Sequence, residues 1–260
     1  MFRSLDVAAS GMAAQETKLD TIANNLANSN TTGYKRQDAE FEDLLYQNVR
    51  GPALTGTGQT APTGVQLGLG VRVVAVQRLF SQGTLLQTGN PLDVAVEGNG
   101  FLSVMRPTGE PAYTRAGSLK LDADGRLVTS DGLPIEPPIT VPTDATAVTI
   151  SHDGTVSATR PGQPQATPLG QLQLVTFPNP GGLEGVGHNL FVANASSGDA
   201  LAGTAGTDGR GSIMQGALES ANVEVVNEMI ALIRTQRAYE INSKVISAAD
   251  EMLRNATQAR

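Results

Sequence analysis

The chain contains no cysteine and no tryptophan. The first absence excludes disulfides, thiolate metal sites and thiol nucleophiles, and it leaves the chain equally fit for reducing and oxidising compartments. The second goes with an aromatic content of only 4%, which beside 29 glycines and 14 prolines implies many turns around a light core. Positive charge is short as well. Eighteen Lys and Arg against 25 Asp and Glu give a formal charge of −7, with no basic patch of the kind that neutralises phosphates. Neither nucleic acid nor an anionic membrane surface is therefore an expected partner. Long apolar runs are missing too. The opening Met1-Phe2-Arg3-Ser4-Leu5-Asp6 passes into Gln15, Glu16, Lys18 and Asp20, so there is no signal-type apolar region, and no stretch approaches membrane-spanning length. A cytoplasmic address is the default reading, unless export takes a route that leaves the N-terminus uncut.

What is present is two kinds of sequence. Helical periodicity occupies both ends, and a Gly, Pro and Thr rich, strand-like interior lies between them. Leu5, Met12, Leu19 and Leu26 recur every seven residues with Ala8, Ala9, Ile22 and Ala23 beside them, which predicts one apolar stripe on an N-terminal helix. Glu16 interrupts the stripe, Gly11 costs the helix about 1 kcal/mol relative to Ala, and Asn28-Ser29-Asn30-Thr31-Thr32-Gly33 ends it. At the other end Asn222 is the expected cap of a second helix, with Glu224 and Glu228 early and Arg234, Arg237, Lys244 and Arg254 later, in line with the helix dipole. Its apolar positions fall in two phases, Val226, Ile230 and Ile233, then Ile241, Val245, Ala248 and Met252, with a phase step around Gln236 to Ala238.

Arg50 to Gly70 is poor in charge and rich in Gly, Thr and Pro, which suits an extended segment or loop. Short strands are expected at Val71 to Val76, Leu92 to Val96, Phe101 to Met105, Leu127 to Thr129, Ala147 to Ile150 and Leu172 to Phe177, separated by turns such as Thr108-Gly109 and Asp131-Gly132. The expected fold class is α+β: N- and C-terminal helices forming a coiled coil, plus a central antiparallel β-rich domain. The expected divisions are an N-terminal helix at 1–34, a connecting region at 35–90, a β domain at 91–215 and a C-terminal helix at 216–260. Two striped helices at opposite ends of one chain bury their stripes on each other and on copies of themselves. The alternative is a helical or helix-on-sheet domain closed within one monomer.

Chemical motifs are sparse. Asp122-Ala123-Asp124-Gly125 lacks the remaining ligands and the closing Glu of a calcium loop and reads as a hairpin turn. Gly98-Asn99-Gly100 and the glycines of 182–187 have no following helix or Lys-Ser/Thr and read as turns as well. His152 and His188 sit with no second ligand at metal spacing. A carboxylate pair such as Glu97 and Asp122 keeps a hydrolase open as an alternative, although nothing raises either above the other carboxylates, and a β-rich adhesin is a further class.

Three blocks carry a resemblance to a known family. The first is Ala23-Asn24-Asn25-Leu26-Ala27-Asn28 followed by Thr31-Thr32-Gly33-Tyr34-Lys35-Arg36. The second is Leu92-Asp93-Val94-Ala95-Val96-Glu97-Gly98-Asn99-Gly100-Phe101 with Tyr113-Thr114-Arg115-Ala116-Gly117. The third is Gly216-Ala217-Leu218-Glu219-Ser220-Ala221-Asn222-Val223 with Gln236-Arg237-Ala238-Tyr239-Glu240-Ile241-Asn242-Ser243-Lys244. Together they resemble the rod and hook axial proteins of the bacterial flagellum. Ala221 stands where Ser is more usual, and Leu102 where a second aromatic is common. Phe41-Glu42-Asp43-Leu44-Leu45-Tyr46-Gln47, the Gly and Thr rich insert at about 47–65 and the length are similar to the distal-rod members of that family, another axial member, proximal rod or hook, being the alternative and a cell-wall hydrolase the remoter one.

The resemblance implies a self-assembling, non-enzymatic subunit of a helical tube that transmits torque and encloses the export channel. Neighbouring rod and hook proteins, the surrounding basal-body rings and the flagellar type III export apparatus are its implied partners, and no cofactor is implied. It further implies export to the periplasm-spanning rod without a cleaved signal. Assembly contacts are expected from Leu5, Met12, Leu19, Asn24, Asn25, Leu26, Asn28, Gly33 and Tyr34 at one end. At the other they are expected from Val226, Ile230, Ile233, Gln236, Arg237, Tyr239, Asn242, Val245 and Met252.

Overall fold

A computed structural model describes residues 2–50 and 64–258. The chain is α+β, with one long helix at each end and antiparallel strands between them. It divides into two compact units, each built from segments distant in sequence.

The β unit comprises Ala27–Arg36 and Arg78–Val223. Its largest sheet runs in the order Glu184–Gly187, Leu190–Val192, Pro111–Thr114, Phe101–Met105, Gln173–Thr176, Leu201–Thr204, and Ile135–Glu136 pairs in addition with Phe101–Met105. Phe101–Met105 is central, and its side chains are buried on both faces. Alternation along it explains why. Leu102 and Val104 enter one cluster with Leu119, Leu127, Ile135, Leu172 and Leu174, while Phe101 enters a second with Tyr113, Val175, Phe177 and Phe191. In the second cluster the rings of Phe80, Phe101, Tyr113, Phe177 and Phe191 meet edge to face at 4.8–6.0 Å. That geometry is the one the ring quadrupoles favour. The strands expected at Phe101–Met105, Leu127–Thr129 and Ala147–Ile150 form with those bounds.

The helix-and-ribbon unit comprises Met1–Leu26, Gln37–Gln77 and Glu224–Arg260. It holds α1 (Phe2–Ala27) and α2 (Val225–Gln258), the latter 34 residues long and so about 50 Å at 1.5 Å per residue. Gln37–Asp43 pairs with Val71–Arg78, and Tyr46–Arg50 pairs antiparallel with Val65–Gly68. A β ribbon therefore stands where the sequence pattern gave an extended connecting region. The stretch 51–63, with most of the insert's Gly, Thr and Pro, lies outside the described residues.

Two local expectations change. Asn222 does not cap α2, which begins at Val225. Its carboxamide instead accepts from the Arg36 N–H at 2.6 Å and donates to the Leu79 and Ser81 carbonyls. Those extended segments leave backbone groups that need partners, and they outcompete the helix end. The stretch 28–33 does end α1, through consecutive turns in which Thr31 N–H donates to Asn28 O at 3.0 Å and Tyr34 N–H donates to Thr31 O at 3.2 Å.

Candidate assembly surfaces

In the helix-and-ribbon unit the inner face of α2 is small and polar. Glu228, Thr235 and Ala249 are buried and Asn242 is half-buried, all at seven-residue spacing. On α1 the buried positions are Ala8, Ala14, Thr21, Ile22 and Asn25. Asn25 was expected at a subunit interface. It is instead buried within the chain, where Oδ1 accepts from Gln37 N–H at 2.9 Å and Nδ2 donates to Gln37 O at 2.8 Å and to Glu228 at 3.4 Å. Its carboxamide pairs with the ribbon as a backbone rung does.

The large apolar side chains of α2 point the other way. Val226 is 64% exposed, Ile241 61% and Met252 53%, and Ile230, Ile233, Tyr239 and Val245 are exposed with them. The two phases read from the sequence therefore both lie on the open side, together with the exposed polar Gln236 and Arg237. Leu5, Met12, Leu19 and Leu26 are half-buried along the flank of the α1 seam, and Asn24 is exposed. The ribbon is similarly open, with Phe41, Leu45, Tyr46, Val49, Leu67, Val74 and Val76 all exposed. Among the described residues, 19 of the 23 exposed large apolar side chains belong to this unit. Isolated apolar residues on a surface are ordinary, but contiguous apolar faces mark contact surfaces.

The remaining expected residues, Asn28, Gly33 and Tyr34, lie in the β unit. Asn28 is half-buried and accepts from the Thr31 hydroxyl at 3.2 Å. Gly33 and Tyr34 are buried. Gly33 has φ 71°, its N–H donates to Glu219 O at 2.8 Å, and a Cβ there would lie 2.6 Å from the Ala116 nitrogen, so no other residue fits.

Beside it is a cluster that sequence reasoning missed. Glu219 accepts from Lys35 Nζ at 2.7 Å and from Gly83 N–H at 2.9 Å, and Arg115 Nε lies 3.7 Å from its second oxygen. Lys35 also donates to Ser81 O, and Arg115 donates to Val96 O at 3.2 Å and Gly98 O at 2.7 Å. All three side chains are essentially inaccessible. Burial, reinforced by the Arg115 charge and opposed by Glu219, pulls the Lys35 ammonium below its ordinary 10.5. The knot joins residues up to 184 positions apart, so no local pattern announces it. The carboxylates of the hydrolase alternative are engaged locally: Asp122 pairs with Arg126 across its turn, and Glu97 accepts from Ser212 at 3.3 Å.

Comparison with known proteins bears on what these surfaces are for. Residues 5–35 match the family described as "Flagella basal body rod protein", 95–158 the "Flagellar hook protein FlgE/F/G D1 domain", and 214–259 the "Flagellar basal body rod FlgEFG protein C-terminal". The flagellar basal-body rod protein FlgG of Caulobacter vibrioides is 48% identical over 260 residues, covering 99% of both chains. The chain belongs to the flagellar basal-body rod family. Its likeness extends to FlgG of Borreliella burgdorferi, 46% identical over 97% of both chains, and of Bacillus subtilis, 37% identical over 97% of both. The protein is a structural subunit of the flagellar rod, and its place is the basal body.

Proposed function

We infer that the chain builds the distal part of the rod by polymerising with its own copies into a straight helical tube. In this reading α1 and α2 form an antiparallel coiled coil around the central export channel. The tube passes torque from the motor to the hook, meets neighbouring rod and hook proteins and the basal-body rings, and performs no catalysis. Its subunits reach the growing end through the type III apparatus. One observation carries the reading: the exposed apolar side chains are concentrated on α2 and the ribbon, while the β unit encloses two apolar clusters of its own. The relatives named FlgG agree with it along nearly the whole chain.

Purified chain should sediment as polymer above a critical concentration, and electron micrographs should show straight tubes. A chain that stays monomeric at all concentrations, or that solubilises cell-wall material, contradicts the reading.

A further inference from the structure

Helices α1 and α2 meet at two described contacts. Asn25 Nδ2 lies 3.4 Å from Glu228, and Gly11 faces the Asn242 carboxamide so closely that a Cβ on Gly11 would be 2.9 Å from Nδ2. The contacts are fourteen residues apart on α1, from 11 to 25, and fourteen apart on α2, from 228 to 242, in opposite chain order. That is an antiparallel pairing in which two heptads of one helix match two heptads of the other. Continued at sevens, the series is Ser4, Gly11, Lys18 and Asn25 against Ala249, Asn242, Thr235 and Glu228.

Of the four α1 positions only Gly11 lacks a side chain. A glycine inside a helix costs about 1 kcal/mol relative to alanine, so α1 bears that cost where the facing helix needs room. Asn242 occupies the room with its carboxamide, and a polar residue at a seam position is a known means of specifying register.

We propose that Gly11 and Asn242 form a notch and key that fixes the axial register of α2 on α1. The proposal rests on reading the two helices as a coiled coil. A slip of one heptad sets Asn242 against Ser4 or Lys18, each of which carries a side chain where position 11 has none, and takes Glu228 away from Asn25. Register in turn fixes where Val226, Ile241 and Met252 stand along the unit, and therefore which surface the next copy meets.

The absence of cysteine makes the register directly measurable in the soluble full-length chain. The pair G11C/N242C should close a disulfide under mild oxidation, because the two side chains face each other within bonding reach. The displaced pairs G11C/T235C and G11C/A249C should not. Equal cross-linking of a displaced pair, or none at 11 and 242, overturns the proposal. A second arm fills the notch with a good helix former. G11L should lose sedimentable polymer, and G11L/N242A should regain it. Unimpaired assembly of G11L, or a double variant no better than the single, overturns the key. If the soluble chain cross-links in the expected register but the parent never polymerises, the assembly reading falls and the register assignment stands.

Discussion

At Glu219 one carboxylate faces two buried cations and a backbone N–H, so its removal leaves charge behind rather than merely losing a contact. Breaking a buried ion pair by deleting one partner costs about 3–5 kcal/mol. Glu219→Gln is therefore expected to lower unfolding free energy by roughly that amount, read by denaturant titration of the monomer. A loss under about 1 kcal/mol would mean that the cations find other partners. Lys35 supplies a second test through its lowered pKa. Between its folded value and 10.5 the unfolded chain holds more protons than the folded one, so this group's contribution to stability rises with pH across that window. Below the window both states are protonated, and above it neither is. The stability difference between the parent and Lys35→Met should thus move in the parent's favour as pH climbs toward 10.5. A flat difference rejects the burial argument.

At the scale of elements, what could be read in advance depended on how local the cause was. Strands such as Phe101–Met105 and the turn at Asp131-Gly132 rest on β-branched or aromatic runs and on glycine, and they form where expected. The helices were legible from periodicity, but which face turns inward was not. Large apolar residues conventionally point to the core, whereas α2 seats Thr235 and Ala249 inward and leaves Ile241 and Met252 open. Size explains it: small residues bring two helices close, and the bulky ones are left on the exposed face. Ribbon formation was missed because 37–50 lacks a clean two-residue alternation and pairs with strands beyond a long insert. The two faces make a differential prediction. Met252→Asp or Ile241→Asp places a charge on the open side and should abolish polymer while the monomer's circular dichroism and melting stay within error of the parent. Ile22→Asp, at a position 1% exposed, should instead destabilise the monomer by several kcal/mol. Tubes of normal yield from Met252→Asp would show that the open face of α2 is not a subunit contact.

For the whole molecule, the two units differ in how much apolar surface they leave open among the described residues. The β unit has its own apolar clusters and closes its longest-range polar knot internally, with Asn222, Lys35 and Glu219 tying 35–36, 79–83 and 219–222 together. The helix-and-ribbon unit carries most of the uncovered apolar surface, and its ribbon presents Leu45, 85% exposed, with Tyr46, Val49 and Leu67 around the start and end of the insert. A flexible helical polymer requires subunit contacts that slide or change length as the tube turns, and an extended arm wedged between stacked copies would hold that length constant. By composition the insert carries Pro52 and Pro62, a residue type with restricted backbone freedom, and Thr55, Thr57 and Thr60, a residue type whose hydroxyl can bond backbone groups. Removing Asn48 to Thr63 should therefore leave the helices and the β unit folded, permit assembly, and give tubes that bend more. Persistence length measured on micrographs decides the matter. Straight tubes of unchanged stiffness would reject the wedge, and loss of assembly with intact monomers would make the ribbon a primary contact, on a par with the open face of α2.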